Sequence, residues 1–142
     1  MIAGGERRRA TLDWIVANPI MEVRPWHDDL IEQRGYDARH GYVETYWLPT
    51  LGPSAVLALR RFADVLDNRP VGVQVDVIEL GASLGLGTGT SRHTQINRTI
   101  SRLVDFGMAR IVGGHIEVRT VLPPVPLRVR RRLPLSLVDA LD

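Results

Sequence analysis

After Leu51-Gly52-Pro53, apolar residues return at intervals of three and four. Ala55, Val56, Leu59, Phe62, Ala63 and Leu66 form one stripe and predict an amphipathic helix with Ser54 as its N-cap. Past Pro70 the period changes, and VGVQVDV alternates apolar and polar positions as a strand with one buried face does. Asp76 then caps a short helix, VIELGASLG, in which Val77, Leu80 and Leu84 share a face and Gly85 supplies the stop. A Gly-Thr-rich link, Leu86–Thr90, leads to SRHTQINRTISRLVDFG. There Ile96, Ile100, Leu103 and Val104 fall at i, i+4, i+7 and i+8, which predicts a helix over Ser91–Phe106 closed by Gly107. MARIVGGHIEVRTV reads as a hairpin, since two alternating strands flank Gly113-Gly114, a pair that tolerates the positive φ of a two-residue turn.

The flanks are less periodic. Met1–Arg9 is rich in Gly and Arg and predicts a loose terminus. TLDWIVANPIM predicts a short helix capped at Thr11 and stopped before Pro19, because the residue preceding a proline avoids the helical region. The stretch between Pro25 and Leu48 gathers two of the three Trp and all three Tyr, which points to packing. LPPVPLRVRRRLPLSLVDALD starts as a proline-braced extended segment and ends in a short helix. The expected fold is α+β and mostly helical: an N-terminal helical and aromatic extension over 1–50, a central domain over 51–122, and a basic Pro-rich segment over 123–142. No internal repeat is visible.

Length and composition narrow the class. With 142 residues, 44% of them apolar, the chain fits one core with extensions. No apolar run approaches the roughly 18 residues of a membrane span, and the opening MIAGGERRR lacks the hydrophobic core of a secretion signal, so a soluble, cytoplasmic protein without membrane partners is expected. The absence of cysteine excludes a disulfide framework, a thiolate metal site and a cysteine nucleophile. Every one of the 18 basic residues is Arg. Their distribution is uneven: residues 1–90 carry nine Arg against twelve acids, whereas 91–142 carry nine against four, a local excess of +5. Such asymmetry predicts an anion-facing side built from the C-terminal part.

The order helix, strand, helix, glycine-bearing link, polar-faced helix and glycine-turn hairpin resembles the winged helix-turn-helix family, in the style of MarR-like and ArsR-like regulators. The resemblance covers Ser54–Thr120, about 67 of the 142 residues. It implies that the helix over 91–106 lies in the major groove of double-stranded DNA, that the hairpin over 110–119 is the wing, and that the first helix braces both.

On a helical wheel the faces turned away from the Ile96/Ile100/Leu103 stripe carry Ser91, Thr94, Gln95, Arg98, Ser101, Arg102 and Asp105. From Ser91 to Val104 there are three Arg and no acid, where a merely solvated helix mixes both signs. Arg98 and Arg102 suit bidentate pairing with guanine or phosphate, Gln95 suits adenine, and Thr94 a thymine methyl, each good bidentate pair being worth about 1–3 kcal/mol of discrimination. Ser91 and Arg92 sit where helix amides favour a phosphate. His93 falls towards the buried side and reads as a packing or capping residue. Arg110 and Arg119 on the hairpin strands, with His115 at its tip, extend the contact. So does the run Arg128, Arg130, Arg131 and Arg132, with Arg7–Arg9 beside it; each phosphate neutralised steepens the salt dependence of binding.

Competing chemistry is thin. His27, Asp28, Asp29, His40 and Glu44 are metal-ligand types, but Gly41 interrupts the helix that would bring His40 and Glu44 together, and Trp-His-Asp-Asp reads equally as a helix cap. Gly85–Thr90 lacks the Lys-Ser/Thr ending of a phosphate loop. No catalysis, metal or cofactor is expected. The expected function is a nucleoid-associated regulator of transcription that reads double-stranded DNA. A homodimer joined through the aromatic segment would let two short helices read two half-sites. The alternatives are a winged-helix module that docks onto protein and an accessory DNA-binding factor of replication or partitioning.

Overall fold

The computed structural model describes residues 4–141. It is α+β and mostly helical. The sheet has four strands in the order β3-β1-β5-β4, where β1 is Ile20–Pro25, β3 is Val73–Asp76, β4 is Ala109–Val112 and β5 is His115–Val118. The hairpin forms as expected, with Val112 opposite His115 and Gly113 at φ 60°, the positive first position that a type II′ turn demands.

The central position of β1 was not expected. Its residues run antiparallel to β3, with Met21 opposite Val75, and parallel to β5, with Val23 opposite Ile116. Met21 and Val23 are buried while Ile20 is exposed and Glu22 half-buried, so IMEVRP follows a period of two. The residues grouped in sequence with a helix over Thr11–Met21 thus divide at Asn18-Pro19. Helix α1, Gly4–Ala17, begins well before Thr11, and from Gly4 on takes in the segment expected to be loose; Met1–Ala3 lie outside the described residues. Asn18 closes α1 by donating from Nδ2 to the Trp14 carbonyl at 2.8 Å.

After β1, Asp28 caps helix α2, Asp29–Arg34, by accepting from the Ile31 amide. Strand β2, Tyr36–Asp37, pairs with β6, Val121–Leu122, and is followed by a π-helical turn at Val43–Trp47 that runs into α3, Leu48–Leu51. The aromatics of this stretch are largely consumed inside the fold. Tyr36 and Tyr42 stack with centroids 3.8 Å apart, and Trp47 donates from Nε1 to the Pro123 carbonyl.

Helix α4, Pro53–Asn68, buries the stripe its period predicts, including Phe62 and Leu59. Its N-cap is Gly52, at φ 86°, and Pro53 occupies the first helical position, two residues earlier than Ser54 alone suggests. Helix α5, Val77–Ser83, is capped by Asp76, whose Oδ1 accepts from the amides of Ile78 and Glu79. Helix α6 spans Gln95–Asp105, so Ser91–Thr94 forms a capping loop in place of a first turn. Gly107, at φ 74°, ends α6 with the Met108 amide reaching back to the Leu103 carbonyl, which satisfies an otherwise orphaned acceptor. Short helices α7, Leu127–Arg130, and α8, Leu135–Leu141, finish the chain.

One core joins these parts: Ile15 and Met21 pack in the same cluster as Leu59, Phe62, Ile100, Leu103, Ile116 and Leu122. The boundary expected near residue 50 therefore runs through a shared interior. Among the described residues no helix is long and apolar enough to cross a membrane.

Candidate nucleic-acid interface

Helix α6 lies beneath other elements. Of its eleven residues, only Gln95, Arg98, Arg102 and Asp105 are exposed, a single stripe at helical spacing. Helix α1 borders one side, where Arg8 reaches Asp105 at 3.2 Å, and the α3–α4 junction borders the other. Between them runs an open groove of about 670 Å³ with an apolar lining of Leu12, Leu51, Pro53 and Phe106.

The residues expected to meet DNA divide into two groups. Gln95 and Arg98 are exposed in the first turns of α6, and the Arg98 side chain has no hydrogen bond or ion pair among the described residues. Ser91 is exposed in the loop before it, where its carbonyl accepts from Asn97 Nδ2 at 2.9 Å, and Arg131 is exposed beyond α7; neither side chain makes a hydrogen bond or ion pair among the described residues. The others are engaged within the chain. Arg92 binds Asp13 of α1 through Nε at 2.9 Å. Thr94 is the α6 N-cap and accepts from the Asn97 amide. Arg102 donates from Nε to the Leu51 carbonyl at 2.7 Å and from Nη2 to that of Thr50 at 2.8 Å, so it caps α3. Arg130 is half-buried and also engaged.

The hairpin arginines hold the sheet edge together. Arg110 donates to Glu117 at 2.7 Å, and its guanidinium carbon lies 4.3 Å from the centre of the Trp26 ring. Arg119 lies closer, at 3.5 Å from the same ring, and donates to the Gly107 carbonyl. Burial pulls the Arg119 guanidinium below its ordinary value, against the attraction of Asp28. Burial also pushes the Glu117 carboxyl up, but the hydrogen bonds from Arg110 and His115 outweigh it and leave the carboxyl below its usual range. His115, instead of standing free at the tip, is half-buried with Nε2 3.2 Å from that carboxylate.

Two expectations for the helix surface change. His93 is exposed. Ser101, which the wheel puts on the outer face, is only 3% exposed because α6 has neighbours on both sides. Its Oγ and Nη1 of Arg119 are the two buried side-chain polar atoms without a hydrogen bond among the described residues. Sequence reasoning also missed the amides at the start of α4. Ser54 and Ala55 line the groove, and no side chain caps that helix. The signal available for them was Gly-Pro ahead of a strong amphipathic period.

The metal-ligand types do not converge: His27 contacts Glu32 at 2.8 Å, while His40 Nδ1 accepts from the Tyr42 amide. Among the described residues no three His, Asp or Glu side chains gather at a metal-binding distance. The chemistry that the exposed groups offer is hydrogen bonding and charge pairing with an anionic partner. No family model, curated protein or solved structure matches the chain.

Proposed function

We propose that the protein is a winged-helix regulator of transcription that binds double-stranded DNA, with the N-terminal end of α6 as its reading edge. The observation that carries this reading is the exposed pair Gln95 and Arg98, the latter without an internal partner, on the last helix of the α4–β3–α5–α6 order that precedes a hairpin. Recognition helices present their N-terminal residues to base edges, and Gln95 and Arg98 remain exposed in the first turns of α6 although α1 reaches that end through the Asp13–Arg92 pair. Arg98 takes guanine or a phosphate, and Gln95 takes adenine. Arg7 and Arg9 on α1 and Arg131 and Arg132 near α7 are exposed without internal ion pairs among the described residues, and supply phosphate contacts. Arg102, Arg110 and Arg119 serve as supports for the reading edge and wing. Two copies acting at the nucleoid would read two half-sites. Because most aromatics of Pro25–Leu48 are used internally, the pairing surface falls to the neighbourhood of Leu30, 72% exposed on α2.

The apolar lining of the groove favours a second reading, in which a protein partner docks there. Titration of random-sequence duplex DNA at two salt concentrations, followed by fluorescence anisotropy, decides between them. The DNA reading expects micromolar or tighter binding at low salt that weakens steeply as salt rises. No binding at low salt overturns it.

A further inference from the structure

The groove beside α6 ends at the start of a sixteen-residue helix whose N-cap, Gly52, has no side chain to cap it. At α4, Pro53 has no amide hydrogen, and the amides of Ser54 and Ala55 donate no hydrogen bond among the described residues; the first amide that does is that of Val56, to the Gly52 carbonyl. Unpaired amides and the aligned peptide dipoles give such an end a partial positive charge. Gly52 at φ 86° makes the sharp turn from α3 that exposes those amides, and a side chain there would be strained. Arg102 occupies the carbonyls that end α3, at Thr50 and Leu51, and thereby carries its charge to the same junction. Arg98 lines the groove without a partner.

The independent observation is Ser101. It lines this groove, is 97% buried by the 3% exposure of its side chain and backbone together, and its hydroxyl has no hydrogen-bond partner among the described residues. Serine within a helix ordinarily returns its hydroxyl to the carbonyl four residues back, as Thr99 does to Gln95 at 2.7 Å. An unmade hydrogen bond at a buried hydroxyl is costly, and this one belongs to a residue that lines the same groove as Ser54, Ala55 and Arg98.

From this arrangement we infer that the groove is a binding site for a phosphoryl group, held by the Ser54 and Ala55 amides, the Arg98 guanidinium and the Ser101 hydroxyl. A tetrahedral oxyanion has enough acceptor oxygens to satisfy all of these donors, and phosphate at a helix N-terminus beside Arg is well matched in charge. The group has two sources, a small phosphorylated ligand or the backbone of DNA. Only the second rests on the proposed function.

The test is titration of the full chain with inorganic phosphate at constant ionic strength, followed by amide chemical shifts, with chloride as the control. The Ser54 and Ala55 amides shift and saturate with phosphate and not with chloride; Arg98→Gln abolishes the response. Ser101→Ala weakens phosphate by about tenfold, the size of one hydrogen bond to a charged acceptor, while its melting temperature stays level or rises because an unpaired buried hydroxyl is removed. A purely structural Ser101 would move stability and leave phosphate affinity alone. Equal shifts with chloride, or unchanged phosphate affinity in Ser101→Ala, overturn the site. Adding duplex DNA identifies the source: shifts at the same amides indicate backbone phosphate, and phosphate shifts without DNA binding indicate a small ligand and remove only the DNA reading.

Discussion

Arg102 donates from Nε to the carbonyl of Leu51 at 2.7 Å, so a side chain expected to read DNA closes the end of α3. Its second donor reaches Thr50, and its guanidinium lies 5.1 Å from the Phe106 ring centre. Truncation would leave two carbonyls at a helix end without their partner. Arg102→Ala is therefore expected to cost about 1–3 kcal/mol of stability. Arg98→Ala, with no internal partner to lose, is expected to melt within a degree of the wild type. Thermal unfolding followed by circular dichroism checks the contrast; equal losses for the two variants would show that Arg98 also has a structural task.

Gly81 sets the approach of α5 to α6. A Cβ built on it would lie 2.9 Å from Cγ2 and 3.0 Å from Cβ of Ile96, a branched side chain that is itself only 2% exposed. Ile96 has little room to yield, so Gly81→Ala should destabilise the protein by about 1–3 kcal/mol through overpacking, although alanine is the better helix former. Removing Cγ2 with Ile96→Ala in the same chain should leave the double variant less destabilised than the sum of the two single ones. Urea unfolding midpoints of the single and double variants measure this coupling.

Trp26 joins β1 to the hairpin through two guanidiniums, Arg110 and Arg119. Replacing it with leucine keeps apolar contact but removes the aromatic face, at an expected cost of about 1–2 kcal/mol. Phenylalanine should retain part of that. Amide exchange along β4 and β5 should accelerate in Trp26→Leu more than in α4; uniform acceleration would instead mean that the ring supports the whole core.

Acid should loosen two specific links. The hydrogen bond from Arg39, against some burial, holds the Asp37 carboxyl below its ordinary value, and Glu117 is likewise low through Arg110 and His115 once burial is offset. Arg39 also reaches Asp64 at 3.0 Å, tying the turn after β2 to α4. A carboxyl whose folded pKa is depressed contributes stability above its unfolded pKa, near 4, and loses it as pH falls through the folded value. Melting temperature is thus expected to drop as pH goes from about 5 to 3. The double variant Asp37→Asn, Glu117→Gln should start lower at pH 6 and fall less steeply over that interval.

Legibility of the fold in the sequence followed the strength of its local signals. The period of Ala55 to Leu66, the Asp76 cap, the Gly107 stop and the Gly113 turn each have a local physical cause, and each formed. β1 was hidden because its partners are distant in sequence, about fifty residues on in β3 and about ninety in β5, and because the short IMEV alternation follows directly on Asn18-Pro19. The site was legible only as a set of residue types. A helical wheel marks Ser101 as outward and leaves Arg102 unpaired, since it contains no neighbour; α1 and the α3 carbonyls decide both. Likewise, the acid-free stretch from Ser91 to Val104 borrows an acid from elsewhere, Asp13 pairing with Arg92.

DNA affinity measured against salt, for the wild type and for Arg98→Ala, tests most directly whether α6 offers its exposed edge to a duplex. For the wild type, log K should fall linearly with log salt. Arg98→Ala should reduce that slope by about one phosphate equivalent if Arg98 holds the backbone; if it reads guanine, the variant should cost about 1–3 kcal/mol on the preferred sequence and little on random duplex. An affinity and slope unchanged by Arg98→Ala on every duplex, or no binding by the wild type at low salt, would contradict the proposed reading edge.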